Sequence, residues 1–164
     1  MPITHKINQG LVIVDMQYEF KESFNKRIIN ECIREIRRAK RLKLPIFIVE
    51  YVGCDSTVEE IMDAVNGYKK TYAIEKIDDD GSKDLQQEFC RNNFSFNSLR
   101  VCGVNSCCCV AETVWGLNEI YPKMKIYLNN KACGTFGHSI RKKYSKKLDF
   151  GCAEGLKNVK RIMV

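Results

Sequence analysis

The sequence predicts an α/β fold: a three-layer α-β-α sandwich built on a six-stranded parallel sheet of order 3-2-1-4-5-6, with the first strand central. Strand-like and helix-like segments alternate along the 164 residues, as in repeated βα units. The first two predicted strands, residues 11–14 and 46–49, are continuous apolar runs, which is typical of strands covered by helices on both faces. The helical segments between strands supply the crossovers that parallel neighbours require.

The first half of the chain continues this alternation after each buried strand. Residues 23–42 predict an amphipathic helix, because isoleucines recur at helical spacing opposite a stripe of arginines. Residues 57–65 predict a short helix and residues 72–76 a weaker strand. After an Asp-Gly turn, residues 82–91 predict the third helix.

The second half supplies three more strands and two more helices. Residues 99–104 are an apolar strand interrupted by a glycine, and residues 107–120 carry valine, leucine and isoleucine at helical spacing. Residues 124–128 predict the fifth strand, and residues 136–148 a basic helix. Residues 159–164 predict the last strand, and the whole chain is expected to form a single domain.

The composition is that of a folded protein in aqueous solution. Hydrophobic residues make up 45% and charged residues 29% of the chain, which excludes a disordered or fibrous protein. The longest apolar runs span about five residues, far fewer than a bilayer requires, so no membrane partner is predicted. Residues 1–9 are polar and lack the apolar region of a secretory signal.

Cysteine usage favours a reducing compartment. The chain has nine cysteines, and an odd number with three in a row does not form a disulfide framework. Most of them are expected to be small buried hydrophobic residues. We therefore predict a cytoplasmic protein.

The net charge of +7 permits a polyanionic partner without requiring one. Arginines of residues 34–41 and basic residues 141–147 form the two positive clusters. Neither is interleaved with aromatic residues, as a single-strand binding platform would be. Both are interpreted as solvated helix faces, and nucleic-acid binding, which rests only on charge, is not predicted.

Three kinds of reactive side chain follow strands of the predicted sheet. Asp15 comes directly after the first strand, Lys76 ends the third, and residues 107–109 are three cysteines that follow the fourth. In an open α/β sheet these strand ends line the ligand-binding edge. A helix N-terminus and an ammonium lower a thiol pKa, and a carboxylate carries its proton, so the pattern indicates nucleophilic catalysis by a thiolate.

Two motifs resemble those of the isochorismatase-like cysteine hydrolases, a superfamily that includes nicotinamidases and N-carbamoyl amidohydrolases. Residues 11–20, LVIVDMQYEF, are similar to its opening motif, and residues 101–110, VCGVNSCCCV, to its nucleophile motif. In that motif a glycine stands six positions before the nucleophile and a valine follows it, and Cys109 alone fits both conditions. Residues 73–76 resemble the segment that carries the family lysine.

The resemblance implies a Cys-Asp-Lys triad. Cys109 would be the nucleophile, Asp15 the general base and later the acid, and Lys76 the cation that favours the thiolate and holds the aspartate. Lys69 and Lys70 are alternatives to Lys76, because the aromatic and threonine positions that usually follow the family lysine are missing.

The resemblance also implies an oxyanion hole and supporting residues. The family's cis peptide would fall between Val104 and Asn105, and would direct a backbone N–H toward the oxyanion together with the N–H of Cys109. Gln17 and Phe20 would support the aspartate loop without acting chemically.

The sequence departs from nicotinamidases at the metal site. They carry an Asp-x-His metal motif after the second strand, whereas residues 51–57 here contain no histidine. The only histidines are His5 and His138, which are interpreted as a tail residue and a helix-start residue. Cysteines near the nucleophile lack the paired spacing of a zinc site. The protein is therefore predicted to use no metal or other cofactor.

Four functions are compatible with these features. A metal-independent hydrolase of small-molecule amide, carbamoyl or enol-ether bonds leads, followed by a catalytically silent relative that binds a ligand or protein in the same cleft. A thiol redox sensor using residues 107–109 and a nucleic-acid-binding protein are the other two. The pocket loops are short relative to the family, and a homo-oligomer that completes the pocket is expected.

Overall fold

The computed structural model describes residues 9–135 and 150–162, and their core is a six-stranded sheet. The strands are β1 Gln9–Val14, β2 Ile46–Tyr51, β3 Thr71–Lys76, β4 Ser98–Val104, β5 Lys125–Gly134 and β6 Val159–Ile162. The helices are α1 Lys26–Arg41, α2 Glu59–Val65, α3 Ser82–Arg91 and α4 Cys109–Ile120. Short 3₁₀ helices cover Lys21–Phe24 and Gly151–Ala153.

The sheet confirms the predicted topology. Its order is β3-β2-β1-β4-β5-β6, and every neighbouring pair is parallel. β1 lies at the centre, where Leu11 pairs with Ile46 of β2 on one side and with Arg100 of β4 on the other. The side chains of β1 from Leu11 to Val14 are almost entirely buried, as the continuous apolar run predicts.

The direction of chain progression places the helices on two faces. From β1 the chain moves through α1 and α2 toward β3, and from β4 it moves the opposite way through α4 toward β5. Because crossovers between parallel strands are right-handed, these two runs lie on opposite faces of the sheet. The packing agrees: α1 contacts α2, while α3 contacts α4. No helix in the described ranges is long and apolar enough to cross a membrane.

β5 is longer than predicted, because an irregularity in its pairing with β4 interrupts the strand pattern and its second half is not recognisable in the sequence. Its pairing with β4 is regular up to Leu128 and resumes at Cys133, opposite Gly103. The bulge is held by Asn129, whose carboxamide donates to Glu35 at 2.6 Å and accepts from the Lys131 N–H at 3.1 Å. Such tertiary contacts leave no period-two signature in the sequence.

Two other predicted boundaries differ or cannot be compared. The helix predicted over residues 107–120 begins at Cys109, because the two preceding cysteines lie in the turn that follows β4. The basic helix predicted over residues 136–148, with His138, lies outside the described residues, as do His5 and the end of the strand predicted over residues 159–164.

Gly103 is required where β4 approaches β1. A Cβ placed there would lie 2.0 Å from the Val14 carbonyl oxygen, and the backbone φ of +130° is one that other residues rarely adopt. The glycine of the nucleophile motif therefore brings the carboxyl ends of β1 and β4 together, which sets the spacing of the residues that follow them.

Replacing Gly103 with alanine is expected to lower the free energy of unfolding by at least about 3 kcal/mol, because rigid backbone must move to admit the methyl group. Gly53→Ala is the matched control. Gly53 also has a positive φ, +85°, but a Cβ added to it would meet nothing within 4 Å. Urea titration should therefore show a loss of about 1 kcal/mol for the control. Equal losses would mean that φ alone, and not close strand approach, explains the glycine.

Candidate active site

The candidate site lies at the carboxyl edge of the sheet, where the strand order reverses between β1 and β4. Asp15 directly follows β1, Lys76 is the last residue of β3, and Cys109 opens α4 after the turn that leaves β4. This crevice is where open α/β sheets bind ligands. The structure therefore brings together the three residues that the sequence places at separate strand ends.

A buried ion pair joins Asp15 to Lys76. Lys76 Nζ lies 3.3 Å from Asp15 Oδ2, and both side chains are 0% exposed. Neither carboxylate oxygen of Asp15 has a donor in strict hydrogen-bond geometry among the described residues, but the charge of Lys76 and the nearby polar groups of Cys109 and Asn105 favour its ionised form. The carboxylate consequently keeps its lone pairs available to a proton donor.

The backbone of the following turn and an aromatic ring hold Lys76 in place. Its ammonium donates to the carbonyl oxygens of Asp78 at 3.0 Å and Asp79 at 3.4 Å, and it lies 4.2 Å from the ring centroid of Tyr51. The alternatives Lys69 and Lys70 precede the other end of β3 and are exposed. The geometry therefore pairs Asp15 with Lys76 and with neither alternative.

Cys109 is buried beside polar groups. Only 4% of the residue is exposed, and its Sγ lies 3.4 Å from Asp79 Oδ1 and 4.0 Å from Asn105 Nδ2. As the first residue of α4, it places its N–H among the helix donors that have no intrahelical partner. Its neighbours Cys107 and Cys108 are more accessible, and their sulfurs lie 3.7 Å apart.

The electrostatic environment keeps the thiol protonated. Burial raises the pKa of Cys109 first, the adjacent Asp15 raises it further, and Lys76 opposes this shift without reversing it. Lys76 therefore favours the thiolate, as the resemblance implies, but its effect on the pKa of Cys109 is smaller than that of burial and the neighbouring carboxylates. Burial also raises the pKa of Asp15, although Lys76 and the polar contact with Cys109 oppose this rise.

The backbone turns sharply after both central strands. Asp15 has a φ of +54° and Asn105 a φ of +57°, in the left-handed region that costs about 1–3 kcal/mol for residues other than glycine. The bond between Val104 and Asn105 is trans, so the predicted cis peptide is wrong. The turn is made instead by the left-handed conformation of Asn105, which asparagine tolerates well.

Gln17 joins the loop after β1 to the loop after β2. Its carboxamide accepts from the Tyr51 N–H at 2.7 Å and donates to the carbonyl oxygens of Tyr51 at 3.1 Å and Asp55 at 2.7 Å. Phe20 is half-buried, and its carbonyl accepts from the hydroxyl of the buried Ser23 at 2.7 Å. Both residues lie in the loop that follows Asp15 and joins β1 to the first 3₁₀ helix.

Sequence reasoning missed Asp79 and Tyr51. The composition of residues 78–81 assigns Asp79 only to a turn, yet it follows Lys76 by three positions at the carboxyl end of β3, where the strand-end rule applies equally. Tyr51 is the last residue of β2, at the same edge. Position at the carboxyl end of a strand, the signal that selects Asp15, would have identified both residues.

One cavity of the described residues lies at the opposite edge of the sheet, where the strands begin. Its volume is about 820 Å³, and residues at the start of β4 and β5, including Ser98 and Lys125, line it. It does not touch Asp15, Lys76 or Cys109, so it is not the site of their chemistry. Within residues 9–135 and 150–162, no three His, Cys, Asp or Glu side chains are placed to bind a metal ion.

Comparison with known proteins connects this geometry to one family. A family model described as the isochorismatase domain matches residues 9–152. A search of curated proteins gives no match.

Solved structures with the same fold have low sequence identity. The MAR1 ribonuclease from Caenorhabditis elegans has a TM-score of 0.70 and 20% identity, over 84% of this chain and 70% of that chain. The nicotinamidase SaPncA from Staphylococcus aureus has a TM-score of 0.68 and 17% identity, over 84% and 93%. The N-carbamoylsarcosine amidase from Thermoplasma acidophilum has a TM-score of 0.61 and 18% identity, over 77% and 83%. At these identities the likeness concerns the fold.

Proposed function

The chain belongs to the isochorismatase family, and on that premise we propose that it is a metal-independent cysteine hydrolase of small molecules. The proposed bonds are amide, carbamoyl or enol-ether bonds. One observation carries the proposal: the fully buried Asp15–Lys76 pair, 3.3 Å between charged atoms, lies against the thiol of Cys109 at the strand-order reversal. A buried ion pair is costly to desolvate, which favours a functional reason for keeping it.

The first half-reaction begins from a neutral thiol and an ionised carboxylate. As Cys109 Sγ attacks the carbonyl carbon of an amide, Asp15 accepts the thiol proton and an S–C bond forms. The oxyanion is stabilised by the free N–H of Cys109 at the start of α4, with the Asn105 carboxamide close by. Asp15 then gives its proton to the leaving amine as the C–N bond breaks, which leaves a thioester.

The second half-reaction returns the site to its starting state. Asp15 takes a proton from water as the water oxygen attacks the thioester, and it gives that proton back to the departing sulfur. Lys76 stabilises the ionised form of Asp15 throughout, because it is the only ammonium in the described residues that contacts this carboxylate. In this proposal Lys76 keeps the base ionised and does not itself transfer a proton.

Ribonuclease activity, which the name of the Caenorhabditis elegans neighbour states for that protein, is not proposed here. The carboxylates of Asp15 and Asp79 both raise the pKa of the Cys109 thiol. Because Lys76 offsets only one of these two negative charges, the remaining charge repels a phosphodiester. A catalytically silent binding module remains the alternative, and the burial of the thiol is the observation that favours it.

A substrate panel with mass spectrometry tests the proposal. Primary amides, N-carbamoyl amino acids and enol ethers are incubated with the protein, and rapid acid quenching traps covalent adducts. Turnover of one class is the expected result, and for an amide or an N-carbamoyl amino acid it should be accompanied by an acyl or carbamoyl adduct that maps to Cys109. Absence of both turnover and adduct across the panel would replace the hydrolase with the binding module.

Metal chelation is expected to leave the activity unchanged. The reaction needs only the proton transfer of Asp15 and the sulfur of Cys109, and no step requires a Lewis acid. Turnover of the substrate found in the panel is compared before and after dialysis against EDTA, and again after Zn²⁺ or Mn²⁺ is restored. A loss of more than about tenfold that the metal reverses would contradict the metal-independent mechanism.

A further inference from the structure

We propose that the substrate carries a cationic group, an ammonium or guanidinium, and that Asp79 binds this group beside the nucleophile. The inference rests on the proposed function, since it names the substrate class of the same site. Asp79 is a carboxylate beside the nucleophile to which the proposed mechanism gives no role.

Asp79 lies at the boundary between solvent and the reacting sulfur. The residue is exposed, while its Oδ1 lies 3.4 Å from Cys109 Sγ. Its backbone is held from inside, because its carbonyl oxygen accepts from Lys76 Nζ and from Thr113 Oγ1, both at 3.4 Å. These bonds hold the backbone of Asp79 at the mouth of the site, so its carboxylate lies within reach of a molecule that approaches the thiol.

In the part of the chain that the structure describes, the charged side chains around the Cys109 thiol carry a net negative charge. Asp15 and Asp79 both act on the thiol, and Lys76 is the only ammonium of the described residues in contact with Asp15. Within residues 9–135 and 150–162, no cation forms an ion pair with the Asp79 carboxylate. Inside the site, Asp15 is fully buried, and neither of its oxygens has a well-aligned donor in the same part of the chain. One positive charge brought by a ligand would neutralise the excess.

The position of Asp79 is unfavourable for chemistry without such a ligand. A carboxylate near the sulfur opposes the negative charge that develops as Cys109 attacks, and a hydrogen bond from a thiol is weak compensation. A substrate cation paired with Asp79 removes that opposition at the moment of reaction. Within the substrate panel this favours amides that carry a cationic group over the N-carbamoyl amino acids, whose carboxylate Asp79 would repel.

The geometry also sets how far the cation lies from the scissile bond. A reacting carbon sits about 3–3.5 Å from the sulfur, and a charge-assisted hydrogen bond spans about 2.7–2.9 Å. Since Asp79 Oδ1 lies 3.4 Å from the sulfur, a spacer of about one to three atoms between carbonyl carbon and cation satisfies both contacts. Amides of short amino acids have this shape.

Thiol-specific probes of opposite charge test the inference without a known substrate. The protein is treated with 2-(trimethylammonium)ethyl methanethiosulfonate or with 2-sulfonatoethyl methanethiosulfonate, and peptide mapping gives the rate of modification at Cys109 alone. We expect the cationic probe to react at least about tenfold faster in the wild type. In Asp79→Asn the ratio should fall to about twofold or less, and in Asp79→Lys it should reverse.

Glu119→Gln is the matched control, because it removes the same charge from the far end of α4, roughly 15 Å along the helix from Cys109. Its probe ratio should equal that of the wild type. A ratio near one in the wild type, or one that Asp79→Asn leaves unchanged, overturns the inference even where Cys109-dependent turnover is found. A charge preference without turnover of the substrate panel supports cation binding and contradicts only the hydrolase.

Discussion

Replacing Cys109 with alanine is expected to lower kcat by about 10⁴-fold or more on any substrate that the protein hydrolyses, while the fold persists. The sulfur supplies the bond that divides hydrolysis into two steps, and neither Asp15 nor Lys76 can substitute for it. When catalytic residues act as a unit, removal of one of them abolishes most of the rate enhancement that the whole unit provides. Steady-state turnover and far-UV circular dichroism measure the two parts of this expectation.

The neighbouring cysteines provide the control for this experiment. Cys108→Ala removes an exposed thiol that makes no side-chain capping bond to α4, and Cys107→Ala removes a half-exposed one. Both variants should retain turnover within about threefold of wild type, since of these three cysteines Cys109 is the one whose pKa is shifted by Asp15 and Lys76 in the buried site. Loss of activity in either control with retention in Cys109→Ala would move the nucleophile within residues 107–109.

The elements that fix the site were predictable because they rest on local signals. Continuous apolar runs identify β1 and β2 as doubly covered strands, and this alone directs attention to the residue after each run. Asp15 is identified in this way, whereas Cys109 is selected among residues 107–109 by the resemblance to the family motif, in which a glycine, here Gly103, stands six positions before the nucleophile. The structure explains that distance, because Gly103 allows β4 to approach the Val14 carbonyl.

What the sequence could not predict depends on contacts between distant segments. Protonation of the Cys109 thiol follows from burial and from two carboxylates contributed by other strand ends, none of which is local to α4. Residues 78–80 read as a turn because Asp-Asp-Asp-Gly has turn composition, and only the tertiary fold brings Asp79 to the sulfur. The left-handed turn at Asn105 is likewise a single-residue conformation without a sequence period.

Replacing Lys76 with methionine is expected to lower the free energy of unfolding by about 3–5 kcal/mol at pH 7, and to abolish turnover. Methionine fills much of the same volume, but Asp15 then remains fully buried as a carboxylate without its counter-ion. Burial already raises the pKa of Asp15, and the loss of Lys76 raises it further, since Lys76 is the main group that lowers it. Urea titrations at several pH values measure the loss.

The pH dependence identifies the cause of this loss. An acid whose pKa is raised on folding binds more protons in the folded state, so the stability it costs appears as pH rises above the unfolded value near 3.8 and is complete above the folded value. The deficit of Lys76→Met should therefore shrink as pH falls toward 4. The double variant Asp15→Asn with Lys76→Met removes both charges and should recover most of the lost stability at pH 7 while remaining inactive. A deficit that is the same at every pH, or that the double variant does not reduce, would show that Lys76 stabilises the fold through its packing and carbonyl contacts instead of through the charge of Asp15.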